Sequence, residues 1–387
     1  MPSPSMTMSL PLWLGGAALA DAIKYIPESY SHSSDVNGGY KSCQFAITCS
    51  ALEAEDWYTS LGNHIEVSGD GLDKVWEGFV NSVDINIGPT TITRGPLMDV
   101  VNRLTVSYSE VSRGYNLGGV NTTLGGEQLY TTPYNDTDSQ DIWGIQEMIL
   151  SAGSINPGEI AYLPQAYTDD NKHPPVSQNV SMGAGGGGEA VVTVSCLGYV
   201  AFLDKFIYSE ESAGSVTIDL DQKIKNILAD DPNGIFSTDY SKIDSNTTAV
   251  SRYESDYKLA KGAITELVPL GDSSFNRYIW GVYNDRVVEY HVIPTDIRYI
   301  YSILDGKSRI VEVGGGEVNP WEVMPGEFIQ IINLLPGITT DSSDKKKDPR
   351  IMFIESVEYS APFGIQISGG KFDTISQRIN RLGLGNF

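Results

Sequence analysis

Over many short stretches the chain alternates apolar and polar positions at a period of two, and Gly, Pro, Asn and Asp interrupt it at close intervals. That period belongs to half-buried strands. Two distant stretches share one frame. In DWYTSLGNHIEV (Asp56 to Val67) and PWEVMPGEFIQI (Pro320 to Ile331), Trp57 and Trp321 are followed five residues on by Gly62 and Gly326. Ile65 and Ile329 come three further, at an offset of 264 (321 − 57). The echo continues in FVNSVDI (Phe79 to Ile85) and FIESVEY (Phe353 to Tyr359). There Phe79, Ser82 and Val83 match Phe353, Ser356 and Val357 at an offset of 274 (353 − 79). The second copy therefore carries ten extra residues within NLLPGITTDSSDKKKDPR. Its Pro, Gly, Asp and Lys predict a surface loop, where insertions are tolerated. A one-residue slip then aligns Pro89 with Pro362 and Ile92 with Ile365.

Two copies so far apart predict a duplicated β unit, not a solenoid. Each copy has an aromatic anchor, a Gly turn, a strand, a loop, a second strand and a hairpin-like continuation. Alternation in the second strand predicts Phe79, Val83 and Ile85 on one face and Val80, Ser82 and Asp84 on the other. Copy two repeats this with Phe353, Val357 and Tyr359 against Ile354, Ser356 and Glu358.

Between the copies the pattern changes. Residues 111–137 are rich in Gly, Asn and Thr and predict loop. DSQDIWGIQEMILSAG, Asp138 to Gly153, predicts a helix capped by Asp138 or Ser139, with an apolar stripe of Ile142, Ile145, Met148 and Ile149. Residues 165–188 predict a connection. Their GAGGGG is not followed by Lys-Ser/Thr, so it is not a phosphate loop. EAVVTVSCLGYVAFL predicts a strand entering a short helix, and DLDQKIKNILADDPNG a helix closing on a turn. Ser255 to Gly271 predicts a helix burying Leu259, Ala263, Ile264 and Leu267. YIWGVYNDRVVEYHVI predicts a hairpin turning at Asn284–Asp285.

Composition narrows the function classes. The 387 residues suffice for a sizeable core, and 40 glycines and 21 tyrosines suit a strand-rich, turn-rich protein. The net charge of −23 argues against gripping nucleic acid. Lys345 to Lys347 form the one basic run, expected to be a solvated loop tip. Of three cysteines, Cys43 and Cys49 are six apart, about 20 Å along a strand and too far for a disulfide. The cysteine count suits a reducing cytoplasm, and the N-terminal stretch predicts neither signal peptide nor membrane span.

No catalytic constellation is expected, and no cofactor or metal. His32, His64, His173 and His291 sit in unrelated segments without metal spacing, and there is no GxSxG elbow. His64 is expected to be a packed or surface ring. SGDGLDKVWE lacks the EF-hand ligand positions. Trp57, Trp76, Trp280 and Trp321 read as core residues more readily than as sugar platforms.

With Trp57/Trp321 and the paired Phe-x-x-Ser-Val strands in place, the chain resembles the tail-hub (baseplate hub) proteins of tailed bacteriophages, related to the late control protein family. Gly198-Tyr199, Leu203, KIKNIL and AKGAITELVPLG extend the resemblance through the middle of the chain. The long Gly-rich connector departs from compact hubs. The resemblance implies a mainly β fold with α+β insertions: two related tail-tube-like β-barrels in one chain plus smaller mixed domains. The expected divisions are 1–110 (first barrel), 111–188 (connector with one helix), 189–290 (α+β middle domain) and 291–387 (second barrel). It implies a non-enzymatic structural virion protein, assembled in the host cytoplasm into the tail. As a homotrimer it would join a hexameric tail tube or distal tail protein to a trimeric central spike or tip protein. DNA would pass through without specific binding, and no membrane would be entered. Three chains with two barrels each present six near-equivalent units to the tube and three to the spike. Asp84 and Glu358, at matching positions, become candidates for the channel wall or the outer wall. A carbohydrate-binding or carbohydrate-active β protein at a virion tip is the alternative.

Overall fold

The computed structural model describes residues 5–17, 29–69, 74–110, 112–113, 123–124, 128–155, 176–183, 188–210, 217–251, 257–304, 307–332, 350–361 and 364–369. The Lys345 to Lys347 run, His173 and Pro362 lie outside them.

The first repeat copy sits among β1 (Ser5–Ser9), β2 (Ser29–Asp35), β3 (Asn37–Cys49), α1 (Ala51–Tyr58), β4 (His64–Ser68), β5 (Lys74–Ile87) and β6 (Thr90–Arg94). α1 opens on a capping box. Ser50 Oγ accepts from the Glu53 N–H at 3.3 Å, and the Glu53 carboxylate accepts from the Ser50 N–H at 2.8 Å. The long strand β5 changes partner along its length. Its first half pairs with β4 and its second half with β6.

Next come β7 (Arg103–Glu110), the short strands β8 (Ser112–Arg113), β9 (Thr123–Leu124), β10 (Gln128–Tyr130) and β11 (Tyr134–Asn135), α2 (Thr137–Trp143) and β12 (Glu147–Ile155). The helix expected over Asp138 to Gly153 is only half right. It stops at Gly144, which takes φ 70°, and Glu147–Ile155 runs as a strand parallel to β7. The stripe of Ile145, Met148 and Ile149 fits a helix locally, but pairing with β7 overrides that preference. The cap is Asp136, whose carboxylate accepts from the Ser139 N–H at 3.1 Å.

The strands β13 (Gln178–Ser181) and β14 (Ala190–Leu197) follow, β14 running into a 3-10 turn at Tyr199–Asp204. Then come β15 (Ile207–Tyr208), β16 (Thr217–Asp219), α3 (Leu220–Ala229), β17 (Ala249–Ser251), β18 (Lys258–Leu259), α4 (Ala260–Leu267), β19 (Tyr278–Val282) and β20 (Val288–Val292). α4 starts later than the expected helix. It buries Ala263, Ile264 and Leu267, whereas Leu259 stands before it and is exposed. The last two strands form the expected hairpin, turning at Asn284–Arg286. The second repeat copy lies among β21 (Ile297–Leu304), β22 (Lys307–Glu312), β23 (Glu317–Val318), β24 (Phe328–Ile332), β25 (Ile351–Phe353), β26 (Ser356–Ala361) and β27 (Gly364–Ser368).

The fold is mainly β. One twelve-stranded sheet organises it, and a row of eight strands runs through that sheet: β13-β6-β5-β14-β3-β2-β26-β27. Every neighbouring pair in the row is antiparallel. β4 and β1 branch from the first half of β5, and β19 joins β3 in parallel. That last junction requires glycine. Gly39 has φ 80°, and a Cβ there would lie 2.4 Å from the Val282 carbonyl oxygen. A second, five-stranded sheet has the order β23-β22-β21-β24-β25.

Strand pairing does not stop at residues 110, 188 or 290. β14, past the connector, lies between β3 and β5, while β26 from near the C-terminus pairs with β2. The connector itself supplies β13, which pairs with β6. The main core is continuous and contains both Trp57 and Trp321, and a smaller core of Tyr299, Ile310, Val323, Ile329, Ile354 and Val357 underlies the five-stranded sheet.

Candidate functional site

The two repeat copies can be compared bond by bond. Gly62 takes φ 82° and Gly326 φ 91°. The Gly62 N–H donates to the Val80 carbonyl at 2.9 Å, and the Val80 N–H to the Asn63 carbonyl at 2.9 Å. In the second copy the Gly326 N–H donates to the Ile354 carbonyl at 2.8 Å, and the Ile354 N–H to the Glu327 carbonyl at 2.9 Å. His64 pairs with Phe79, and Phe328 with Phe353. Ile85 pairs with Ile92, and Tyr359 with Ile365. Every one of these correspondences keeps the offsets read from the sequence, including the one-residue slip, which lies in the connection between the paired strands. Ile65, Ile329, Val83, Val357, Phe79 and Phe353 are all buried.

The copies also differ. β5 is continuous, whereas its counterpart breaks at Ile354 and Glu355 into β25 and β26, one in each sheet. Trp57 ends a helix, and Trp321 sits in a 3-10 turn, Pro320–Glu322. Each indole meets a ring edge-to-face: Trp57 meets Phe45 at 5.6 Å and Trp321 meets Tyr359 at 5.7 Å. One predicted face needs correction. Val80 and Ile354 do not point out beside the acids; both are buried. In the first copy a register shift places Ser195 against Ser82 and Cys196 against Val80, which skips Asn81 and turns Val80 inward.

The eight-stranded row has one face on the core and one facing away from it. Asp84 and Glu358 stand on the second face, as do Ser82 and Ser356. Cross-strand rows on this face read Asn179–Thr93–Asp84–Thr193–Ala46–Ser29 and Ser82–Ser195–Gln44–Ser31–Ser360. A further row reads Ser42–Ser33–Glu358–Gln366, and its neighbour on β14, Leu197, packs against the core. None of these residues is buried, and none is cationic. The one lysine beside them, Lys41, pairs with Asp35. Small hydroxyl and amide groups thus cover the surface, with isolated carboxylates and no free ammonium or guanidinium in these rows. Such a surface is wetted by water and offers phosphates no cation in these rows, with Ala46 and the 41% exposed Val191 as its apolar members.

Sequence reasoning missed a second cluster. Glu66 on β4 stands directly opposite Glu77 on β5. Like charges so placed repel unless a cation joins them. Lys74 is that cation: its Nζ lies 2.7 Å from Glu66, 3.5 Å from Glu77 and 2.5 Å from Asp285. Glu77 is buried and accepts from the Arg286 N–H at 2.6 Å. His64, also buried, bonds Tyr199 through Nδ1 at 2.7 Å and Glu66 through Nε2 at 3.1 Å. The hydrogen bond from His64, opposed by partial burial and helped by Lys74, holds the Glu66 carboxyl at about 2. Burial works against the Lys74 ammonium, but Asp285, Glu66 and Glu77 together push its pKa above the ordinary value. His64, Glu66 and Glu77 place ligand atoms within 4.8 Å of one another, a spacing that suits a metal ion. The Lys74 ammonium already supplies positive charge there. The hairpin register of β4 and β5, with a glutamate on each strand, was the available signal.

The remaining candidates are structural. His32 is buried, bonds Tyr30 through Nδ1 at 2.7 Å and is held down to about 4 by burial. Cys43, Cys49 and Cys196 are free and buried. Trp57, Trp76, Trp280 and Trp321 are buried and present no exposed platform. No helix among the described residues is long and apolar enough to cross a membrane.

The chain is similar over nearly its whole length to two solved structures. One is the tail protein from Neisseria meningitidis MC58, 8% identical, with a TM-score of 0.39, covering 94% of this chain and 95% of that one. The other is the 43 kDa tail protein of prophage MuSo2 from Shewanella oneidensis, 9% identical, with a TM-score of 0.39, covering 96% and 97%. Both are tail proteins. No protein-family model matches the chain, and no curated protein matches it.

Proposed function

We propose that the protein is a structural hub of a phage tail, a homotrimer that joins the tail tube to a central spike or tip and lines the passage for DNA. The observation that carries this reading is the cation-poor hydroxyl and amide face of the eight-stranded row, to which both repeat copies contribute. A wall for a moving polyanion must not hold it. Each phosphate contact adds affinity, so a surface with no unpaired cation and a few carboxylates lets the duplex slide. The matched register of the two copies supports the symmetry role: three chains carry six similar units for a six-fold ring, yet repeat as whole chains only three times. On this reading Asp84 and Glu358 face the passage, and Trp57, Gly62, Trp321 and Gly326 hold the two units in shape.

The test replaces both acids. Particles carrying Asp84→Lys with Glu358→Lys should assemble and adsorb normally but eject DNA more slowly, with the delay relieved by salt. Unchanged ejection at low and high salt would place these acids on the outer wall and remove the channel reading.

A further inference from the structure

Cys43 on β3 and Cys196 on β14 are direct partners across antiparallel strands. Side chains at opposed positions leave a sheet on the same side. Both of these point into the core, at 2% and 1% exposure. They also touch: the two thiols share a hydrogen bond. Opposed residues of an antiparallel pair stand about 4.5–5.5 Å apart at Cα, and disulfides span about 4.4–6.8 Å. The strand register therefore already holds the two sulfurs within reach of one bond. Cys49, the third cysteine, stands opposite Ala190 and has no thiol across from it. The inward row that contains the pair reads Val80–Cys196–Cys43–His32–Tyr359, so it runs from the first repeat copy to the second. The Tyr30 hydroxyl bonds Cys43 and also, at 2.7 Å, His32 Nδ1. A structural hub has no need of this thiol pair.

We propose that Cys43 and Cys196 form an interstrand disulfide by exchange with a low-molecular-weight disulfide, and that the bond fastens β14 between β3 and β5. One thiolate attacks the small disulfide, RSSR, so that a mixed disulfide forms and RS⁻ leaves. The second thiolate attacks the protein sulfur of that mixed disulfide, and a second RS⁻ leaves. The two protein thiols give up two electrons and two protons, and RSSR takes them to become two RSH. In the folded chain this exchange is held back. Burial pushes the Cys43 thiol well above its ordinary range, with Cys196 adding to the effect and the bond from Tyr30 opposing it. A covered, protonated thiol does not attack. Exchange therefore happens before β14 inserts or when it opens. Cys196 follows Cys43 by 153 positions (196 − 43). Closing so long a loop removes much freedom from the unfolded chain. A glutathione-reducing medium keeps the pair as thiols, and an oxidising one closes it. The same fold then has a looser form in the first and a fastened form in the second.

The test refolds the full chain from denaturant in oxidised glutathione and, in parallel, in dithiothreitol. Chymotryptic mapping without reductant cuts at Phe45, between Cys43 and Cys49, and so tells the two apart. The oxidised chain should carry one link, Cys43 to Cys196, with Cys49 left open to alkylation after unfolding. Its melting temperature should exceed that of the reduced chain by about 5 °C. Adding oxidised glutathione to the folded chain should give the same link at least tenfold more slowly. Cys43→Ser and Cys196→Ser should each abolish the rise in melting temperature, whereas Cys49→Ser should keep it. Glutathione adducts, or links to Cys49, in place of the Cys43–Cys196 peptide overturn the proposal. A Cys43–Cys196 link that lowers the melting temperature overturns the fastening, since the bond would then strain the strands it joins.

Discussion

At the scale of single residues, Lys74 is the most consequential side chain of this cluster, because one of its partners, Glu77, is buried. It sits among Glu66, Glu77 and Asp285, which belong to three different elements. Removing one member of such a group leaves its partners uncompensated. Lys74→Ala should therefore cost about 1–3 kcal/mol in denaturant unfolding, mostly through the buried Glu77. Because His64, Glu66 and Glu77 keep a metal-like spacing, added zinc should restore part of that loss in the variant and stabilise the parent chain less. Zinc without effect on the variant would show that the cluster is too rigid to exchange its ammonium for an ion. Burial of His32 makes the fold sensitive to acid. Its folded pKa of about 4 lies below the unfolded value near 6.5, so the unfolded chain binds the proton more tightly. Its contribution is full above the unfolded value and is lost as the pH falls through 6.5 towards 4, roughly 3 kcal/mol in all. Thermal melts between pH 7 and 4 should fall along this range, and His32→Gln should flatten that portion of the curve. An unaltered pH profile in His32→Gln would assign the acid sensitivity to other groups.

At the scale of elements, the repeat was legible because the two copies keep the residues that backbone geometry demands. Gly62 and Gly326 both hold positive φ and donate the same bond to the following strand. Gly62→Ala and Gly326→Ala should each cost about 1–3 kcal/mol, by the strain of a non-glycine residue held there, and by similar amounts. Equilibrium unfolding of the two variants checks this. A loss at one site only would mean that the turns are alike in sequence but not in load. Other elements were not legible. Met148 and Ile149 satisfy a helical stripe and a half-buried strand equally, and β7, some forty residues earlier, decides between them. Asp84 and Glu358 were placed on their face by period alone, whereas Val80 was misplaced, because a bulge changes the count without a mark in composition. β13 hides in a Pro-rich stretch too short to show a period.

For the whole molecule, composition announced a strand-rich acidic chain, but not that its sheet would be assembled from strands far apart in sequence. β14 separates β3 from β5 after a long excursion, and β26 reaches back to β2 from near the C-terminus. Sequence similarity between the copies identifies the repeated strands and says nothing of the strands placed between them. Hence the repeated strands can be found in the sequence, while strand pairing joins segments on both sides of residues 110, 188 and 290.

The pairing of β2 with β26 also sets a schedule for synthesis. Asp35 pairs with Ser356, which is made 321 residues later (356 − 35). At about 5–20 residues per second the ribosome needs roughly 15–65 s to supply that partner. Throughout that interval β2 waits as an open edge on a growing chain. Its sequence, SYSHSSD, is four serines with Tyr30, His32 and Asp35, among the least adhesive a strand can present. The strand that must wait longest for its neighbour is thus built of residues that attract the fewest wrong ones.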